Sequence, residues 1–481
     1  MNDAPVSDAA LRALEEEVRR QLSYLMLPAK PWVAERHTPQ GERLYDTVIV
    51  GAGMFGIAAA IALILKGVSN ILLVDAAPAG REGPWRTFAR MKTLRSPKDL
   101  PGPSLNIPSL TFRAWYEAAH GLAAWQALYK IPNGIWQDYL DWLTRLFALP
   151  VQNETRVVGL DPGNGMVRLT LADGRVLPAR RVVLATGRLG AGGPAIPAFV
   201  DRGLWPDLTA HASEDIDFSA LRGRQVAVIG AGASAWDNAA TALEAGANGV
   251  SMYARRRFLP QVNKGRASAG PAYFEGWAGL EPAQKWELLA YLDDVQSPPP
   301  HETVNRVLAH GDRFQLSLGT RVEAVRRAGG KVVLDIGDGR KQADFLILGT
   351  GFLVDVATAP MLSDISGDIA LWRDRYTPPP GPERPHLGKY PWLGSGFELQ
   401  CREQKTNADL ERIHLFSSAG FASFGFLTAD IPGLSSAAER LSTHIVRHIF
   451  AEDFSQVKDR LVAWEAEYEL EDTPYFRPPT A

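Results

Sequence analysis

Near its N-terminus the chain carries a β-strand signal, a glycine-rich turn and an apolar helical segment in immediate succession. The β-branched run 46–50 leads into Gly51-Ala-Gly53-Met54-Phe55-Gly56, and a second strand ends at Asp75. Glycines spaced in this way let the backbone approach the pyrophosphate of a dinucleotide, which then lies at the N-terminus of the following helix. The Asp75 carboxylate can accept hydrogen bonds from ribose hydroxyls. The segment therefore predicts a Rossmann-type dinucleotide site that uses Gly51, Gly53, Met54, Phe55, Gly56 and Asp75.

The same order of elements recurs in the middle of the chain. A strand over 225–229 precedes Gly230-Ala-Gly232-Ala233-Ser234-Ala235, and the next strand is followed by Arg255-Arg256-Arg257 rather than by an acid. A carboxylate there would repel a 2′-phosphate, whereas a guanidinium binds it with two hydrogen bonds. A solvated basic loop is the alternative interpretation. Two different ribose partners indicate two different dinucleotides, with NADPH bound by Gly230, Gly232, Ala233, Ser234, Ala235, Arg255 and Arg256.

A longer repeat extends this likeness between the two halves. The segment from Thr155 to Gly187 matches the segment from Thr320 to Gly351 in its strand pattern, and both end in a strand followed by (Ala/Gly)-Thr-Gly. The second unit therefore lies inside the first, and the chain returns to the first unit after Gly351. The two crossing segments contain small residues that tolerate large changes of φ and ψ, so we expect them to act as an interdomain hinge.

These patterns predict an α/β fold of two nested Rossmann-like domains, each with a small antiparallel meander. An amphipathic helix is predicted within the N-terminal extension, residues 1–45. The first domain is expected to comprise residues 46–193 and 352–481, and the second, inserted domain residues 194–351. A helical insert rich in Trp and Tyr is expected between Phe258 and Asp294.

Composition narrows the functional class. The net charge of −3 over 481 residues indicates neither nucleic acid nor an anionic membrane as a partner. The single cysteine, Cys401, excludes an intrachain disulfide and a redox dithiol. The apolar run 57–65 has about half the ~20 residues that a bilayer requires, and no signal peptide is evident. We therefore expect a cytoplasmic protein, and the sequence predicts no metal site.

With these motifs the chain resembles the class B flavin-dependent monooxygenases, which include flavin-containing, Baeyer–Villiger and N-hydroxylating enzymes. The likeness covers about residues 45–450 and includes Gly83-Pro-Trp85, similar to a GGxW motif, and the segment 131–142, similar to one in N-hydroxylases. The resemblance implies that NADPH reduces FAD held by the first domain and that a C4a-(hydro)peroxyflavin oxygenates a small organic substrate. It also implies cofactor contacts from Trp85, Arg86, Val157, Thr186, Gly187, Thr350, Gly351 and Gly433.

Three family patterns are altered or ambiguous in this chain. Only His211 remains of the FxGxxxHxxx(W/Y/F) motif of two subfamilies, so neither is assigned, and His211 is interpreted as structural or mechanistic. Where flavin-containing enzymes place an Asn, the segment 93–98 has none. The resemblance makes Arg95, Ser96 and Lys98 the catalytic candidates, although Lys98 also fits an exposed loop charge. A helix that begins near Gly433, after Asp430, is expected to direct its N-terminus at the flavin, or else to be an ordinary closing helix.

The predicted activity is therefore FAD- and NADPH-dependent transfer of one oxygen atom of O2 to a small molecule. The reaction is N-, S- or Baeyer–Villiger-type oxygenation, and the segment 136–142 favours N-hydroxylation of an amine. One alternative is an NADPH-dependent flavoprotein oxidase or reductase that inserts no oxygen, and another is a non-enzymatic dinucleotide-binding sensor. The lone Cys401 argues against a disulfide reductase. The substrate and the oligomeric state stay open.

Overall fold

The computed structural model describes residues 8–268, 270–337, 339–403, 407–428, 431–464 and 468–477. Its α-helices are α1 (Asp8–Tyr24), α2 (Met54–Leu65), α3 (Phe112–His120), α4 (Leu122–Ala127), α5 (Asn133–Leu146), α6 (Ala233–Glu244), α7 (Pro271–Gly276), α8 (Pro282–Val295), α9 (His301–Leu308), α10 (Trp372–Arg375), α11 (Phe421–Phe424), α12 (Leu434–Glu452) and α13 (Phe454–Val462). Its strands are β1 (Tyr45–Val50), β2 (Ile71–Val74), β3 (Val151–Gln152), β4 (Val157–Gly163), β5 (Met166–Leu171), β6 (Val176–Leu184), β7 (Gly192–Pro194), β8 (Thr209–His211), β9 (Gln225–Ile229), β10 (Gly249–Tyr253), β11 (Phe314–Ser317), β12 (Val322–Ala328), β13 (Lys331–Ile336), β14 (Gly339–Ala343), β15 (Phe345–Leu348), β16 (Phe352–Val354) and β17 (Ile413–His414).

The first domain is built on one sheet in the order β3-β2-β1-β6-β5-β4, with β17 paired to β6. Strands β1, β2, β3, β6 and β17 run parallel, whereas β4, β5 and β6 form an antiparallel meander. Because β6 belongs to both, the meander is continuous with the parallel sheet. This arrangement confirms the predicted Rossmann-like unit with an attached meander.

In the second domain, the parallel sheet and the antiparallel meander are two separate sheets. Its parallel sheet has the order β11-β10-β9-β15-β8, and its meander β12-β13-β14 is a sheet of its own. The single strand β6 of the first domain thus corresponds to two strands here, β14 and β15, which are interrupted at Asp344. The Asp344 carboxylate accepts a hydrogen bond from the Gln225 backbone N–H at 2.8 Å and pairs with Lys331 at 2.9 Å. Asp338, which belongs to the predicted repeat from Thr320 to Gly351, lies outside the described residues.

Two short strands connect the domains. Strand β7, on the way into the second domain, pairs antiparallel with β16, on the way back. A Cβ at Gly192 would lie 2.3 Å from the carbonyl oxygen of Leu353, so this residue lets the two crossing segments approach each other. The nested topology is confirmed. The domain boundaries and a hinge rotation about Gly187 and Gly351 stay predictions.

Buried apolar helices hold the first domain together. Helix α2, the predicted apolar run, is almost fully buried and packs against α5 and α12. Helix α1 confirms the predicted N-terminal helix and contributes Val18 and Leu22 to the same core. Most of the aromatic side chains in 112–142 pack against one another in that core, and α7 and α8 form the predicted helical insert. Among the described helices, none combines the length and the apolar character needed to span a bilayer.

Candidate functional site

The first glycine-rich turn lies between β1 and α2, and its three glycines have different roles. Gly51 has φ +105°, and a Cβ there would lie 2.5 Å from the carbonyl oxygen of Ala185. A Cβ at Gly56 would lie 1.9 Å from the Gly51 carbonyl oxygen. Gly53 is different because a Cβ there would meet nothing closer than the Gly83 Cα at 3.7 Å. The protein's own packing therefore requires the first and third glycines, whereas the middle one borders the space that a pyrophosphate needs.

The second turn, between β9 and α6, repeats this geometry. Gly230 has φ +111°, and a Cβ there would lie 2.2 Å from the carbonyl oxygen of Gly349. A Cβ at Gly232 would have no neighbour within 4 Å. The third position is Ala235, whose Cβ would lie 2.4 Å from a Cβ at Gly349. The Ala235 methyl group, which the first turn lacks at Gly56, therefore requires glycine at position 349 after β15. The first domain has Ala185 at the equivalent position after β6.

Asp75 holds the first turn in shape. Its carboxylate accepts hydrogen bonds from the backbone N–H groups of Ala52 and Ala77, each at 2.8 Å. Since each carboxylate oxygen has a second lone pair, Asp75 can still accept a hydrogen bond from a ribose hydroxyl. Sequence reasoning assigned only the ligand role and missed this contact with the turn.

The second domain has a basic loop where the first has Asp75. Arg255 and Arg256 are exposed, and within the described ranges no carboxylate forms an ion pair with either. Backbone hydrogen bonds from Gly319 to the Arg256 carbonyl and from Thr320 to the Ala254 carbonyl tie the loop to the end of β11. Two uncompensated guanidinium groups on an anchored loop are suited to a phosphate. Their role in NADPH binding stays a prediction.

Twelve buried side-chain polar atoms in the described residues lack a hydrogen-bond partner, and two of them belong to segments that border the first turn. These two are Trp85 Nε1 and Thr186 Oγ1, each without a partner in the described part of the protein. Trp85 follows Gly83, which borders Gly53, and Thr186 follows Ala185, which borders Gly51. A buried polar atom without a partner is costly, so a bound group that supplies a hydrogen-bond partner would stabilise this region. The geometry of the turn and these atoms together fit FAD.

The other predicted cofactor contacts lie in several places. Arg86 donates to the carboxylates of Asp138 and Asp141 on α5, the latter at 3.0 Å. Val157 is buried at the start of β4. The Thr350 hydroxyl donates to the Ala195 carbonyl beside the crossing strands. The Arg86 guanidinium already has two acidic partners. Within this set, the predicted cofactor contact of Arg86 therefore has the least support.

The three catalytic candidates are not brought to one point. Arg95 Nη2 lies 2.8 Å from Asp237 Oδ2 on α6, and this pair joins the two domains. The Lys98 ammonium donates to the carbonyls of Trp125 and Leu128 at 2.9 and 2.7 Å, beyond the end of α4. The exposed-loop interpretation of Lys98 is therefore wrong. Ser96 is buried. A catalytic role for any of them stays a prediction.

His211 lies at the domain crossing. It is buried on β8, its Nδ1 is 2.7 Å from Ser213 Oγ, and its ring packs edge-on against Phe352 of β16. Burial lowers the pKa of its imidazole, which favours the neutral form. These contacts favour the structural interpretation of His211 over the mechanistic one.

Helix α12 begins where the sequence predicts. Gly433 precedes its first residue, and a Cβ on Gly433 would lie 2.8 Å from the Leu427 carbonyl oxygen, so the tight approach requires glycine. Asp430 of the same motif lies outside the described residues. The direction of this helix toward a flavin stays a prediction.

Sequence reasoning missed an ionic network between the domains. Asp237 is buried on α6 and also accepts a hydrogen bond from Thr303 Oγ1 at 2.7 Å. Two turns further along, Glu244 pairs with Lys92 of the first domain and with Arg306, both at 2.9 Å. The Arg306 guanidinium holds the pKa of Glu244 at about 2. No local signal marks these acids, because their partners come from distant segments.

We expect Asp237→Ala to lower the free energy of unfolding by about 1–3 kcal/mol, since it leaves the Thr303 hydroxyl and Arg95 without their buried acceptor. Arg95→Ala should cost less, roughly 1 kcal/mol or below, because 46% of that side chain is exposed. Urea denaturation of the flavin-loaded protein measures both. Asp207→Ala, which removes the exposed partner of Arg327, is the control. Equal losses for Asp237→Ala and Asp207→Ala would contradict the buried network.

Comparisons with known proteins agree with this architecture. The sequence model of an FAD-NAD(P)-binding family matches residues 48–189, and that of the L-lysine 6-monooxygenase/L-ornithine 5-monooxygenase family matches residues 129–353. An FAD-dependent urate hydroxylase from Xanthomonas campestris pv. campestris is 40% identical over 446 residues, which are 92% of this chain and 94% of that protein.

Solved structures resemble the fold as a whole. Ornithine hydroxylase from Pseudomonas aeruginosa aligns with a TM-score of 0.65 at 19% identity, over 84% of this chain and 100% of that one. L-lysine 6-monooxygenase from Pseudomonas syringae aligns with a TM-score of 0.67 at 17% identity, over 84% and 99%. At these identities the likeness concerns the fold alone.

Proposed function

This chain belongs to the class B flavin-dependent monooxygenases, and from its likeness to a urate hydroxylase we propose that it hydroxylates urate or a closely related oxidised purine. It is an FAD- and NADPH-dependent oxidoreductase, as expected from the two turns, and the sensor alternative is set aside. The observation that carries the substrate proposal is the 40% identity to a urate hydroxylase across 92% of the chain. The compared region includes both dinucleotide turns and nearly everything between and around them.

Each turn has a distinct task in this proposal. The backbone N–H groups at the start of α2 hold the FAD pyrophosphate, which approaches at Gly53. Those at the start of α6 hold the NADPH pyrophosphate at Gly232, and Arg255 and Arg256 hold its 2′-phosphate. When bound, the flavin supplies hydride acceptance and oxygen activation, chemistry that no side chain offers.

The overall reaction accounts for both sites. One atom of O2 enters the purine as a hydroxyl group, and the other is reduced to water by the two electrons of NADPH with a proton from solvent. An electron-rich, planar urate anion is a nucleophile toward activated oxygen. The prediction of N-hydroxylation of an amine, by contrast, receives support only from the match to the lysine/ornithine monooxygenase family and stays a weaker alternative.

The test is isotopic. We expect the flavin-loaded enzyme to consume urate, NADPH and O2 in equal amounts and to transfer one ¹⁸O atom from ¹⁸O2 into the product. NADPH consumed with equal peroxide and no label in the product would support the oxidase alternative. Turnover with L-lysine or L-ornithine and none with urate would overturn the purine proposal in favour of N-hydroxylation. The control is the same mixture without NADPH, in which urate should persist.

A cytoplasmic location is part of the proposal. The lone Cys401 leaves no intrachain disulfide to form, and the reaction consumes NADPH, which is a cytoplasmic reductant. Fractionation of the source cells with an antibody against the protein tests it.

A further inference from the structure

A cluster of three ligand-type side chains lies in the first domain, apart from both dinucleotide turns. Glu398 comes from the loop before β17, His414 from β17 and His444 from the middle of α12. One ligand atom from each lies within 4.8 Å of the others. Neither the turns nor the interdomain network uses these residues, so the cluster needs its own explanation.

The orientation of His414 is set by the backbone. Its Nδ1 lies 2.8 Å from the carbonyl oxygen of Gly396. Because a carbonyl only accepts, Nδ1 carries the hydrogen and Nε2 carries the lone pair. Nε2 is buried and has no hydrogen-bond partner within the described residues. A backbone carbonyl behind an imidazole is the support commonly found behind a metal-binding histidine.

The other two members place a carboxylate oxygen and a second imidazole nitrogen in the same cluster, and His444 Nδ1 lies 3.4 Å from the Ser395 hydroxyl. Glu398 Oε2 accepts a hydrogen bond from the Gly396 backbone N–H at 2.7 Å and lies 3.5 Å from His444 Nε2. That Nε2 is also buried and without a hydrogen-bond partner in the described chain. A carboxylate and imidazole nitrogens that converge away from water are costly unless a cation or protons join them.

Two glycines make this convergence possible. A Cβ at Gly394 would lie 1.8 Å from Glu398 Oε1, and a Cβ at Gly396 would lie 2.2 Å from His444 Cγ. Neither glycine has a positive φ, so conformation alone does not require them. They leave room for the carboxylate and the ring to lie against the loop backbone.

We propose that Glu398, His414 and His444 bind one divalent transition-metal ion, for which Zn²⁺ is the reference. Two imidazoles and one carboxylate suit zinc and its first-row neighbours. Bonds of about 2.1 Å place tetrahedral ligand atoms roughly 3.4 Å apart, so the ion draws the outermost atoms together by on the order of 1 Å. His448, whose ring centroid is 4.2 Å from that of His444, or a water molecule completes the coordination.

The consequence is structural. His414 belongs to β17 in the sheet, and His444 lies on α12, ten residues after its first residue. An ion bound by both fastens α12, and with it the Gly433 turn, to the sheet. The metal therefore stabilises the fold without taking part in oxygen transfer, and the inference does not depend on the substrate proposal.

Metal analysis of the full-length, flavin-loaded enzyme tests the site. After dialysis against a chelator, titration with ZnCl2 is expected to show one ion per chain and to raise the unfolding temperature. Co²⁺ in its place should give ligand-field bands at longer wavelength than the flavin absorption. Each of Glu398→Gln, His414→Gln and His444→Gln should weaken Zn²⁺ by more than the roughly 10- to 100-fold that second-shell changes cost.

The control is His301→Gln, an exposed residue at the start of α9, which should bind Zn²⁺ as the unaltered enzyme does. His444→Gln is the decisive variant if His414→Gln fails to fold, because His444 is partly exposed. Failure of the unaltered enzyme to bind Zn²⁺, Fe²⁺ or Co²⁺ stoichiometrically would overturn the proposal. So would unchanged Zn²⁺ affinity in folded His444→Gln. Either result leaves urate hydroxylation untouched.

Discussion

A Gly53→Val variant is expected to purify as a folded, colourless protein that carries almost no FAD. The physical reason lies in the contrast within the first turn. Side chains at Gly51 or Gly56 would collide with the protein's own backbone, whereas a Cβ at Gly53 meets no protein atom closer than 3.7 Å. The added side chain should therefore spare the fold and occupy the space of the pyrophosphate. Flavin absorbance per chain and circular dichroism measure the two effects separately.

Two matched variants sharpen this test. Gly367→Val changes an exposed glycine that has open space around it and no positive φ, so flavin content should stay that of the unaltered protein. Gly232→Val changes the equivalent glycine of the second turn and should keep FAD while losing flavin reduction by NADPH. Full flavin content in a folded Gly53→Val protein would refute the assignment of FAD to the first turn.

The parts of this protein that were predictable from sequence are those with local causes. A Gly-x-Gly-x-x-Gly turn between a strand and a helix has its meaning within a few residues, because sterics at Gly51 and Gly56 admit no side chain. The repeat from Thr155 to Gly187 is likewise visible as a pattern. The nested topology follows from that repeat, since a unit inserted within another must be entered and left at its two ends.

The unpredicted features join residues that are distant in sequence. Arg95 was named only as a catalytic candidate, and the sequence did not indicate its partner Asp237, which lies 142 positions away on a helix whose other side chains give no hint of the pair. The Glu398 cluster is of the same kind. Its one local signal is the four-residue spacing of His444 and His448, which places both on one face of a helix. That spacing alone is common on solvated helices.

The second large expected effect is a preference for NADPH over NADH, which we attribute to the basic loop after β10. NADPH and NADH differ only by the 2′-phosphate, and Arg255 and Arg256 are exposed and lack acidic partners among the described residues. Charge-assisted hydrogen bonds from such groups contribute about 2–3 kcal/mol. The unaltered enzyme should accordingly prefer NADPH over NADH by roughly 30- to 150-fold in kcat/KM for flavin reduction.

Replacement of both arginines, Arg255→Ala with Arg256→Ala, should remove that preference by lowering the efficiency with NADPH, while the efficiency with NADH changes little. The asymmetry is the essential point, because general damage to the second domain would depress both cofactors together. Arg321→Ala removes another exposed arginine of the same domain and should leave both efficiencies unchanged. Stopped-flow reduction of the flavin at limiting cofactor concentration measures all six rates, for the three proteins with each of the two cofactors. If the double variant still favours NADPH as strongly as the unaltered enzyme, the 2′-phosphate is bound elsewhere, and the loop is only a solvated basic surface.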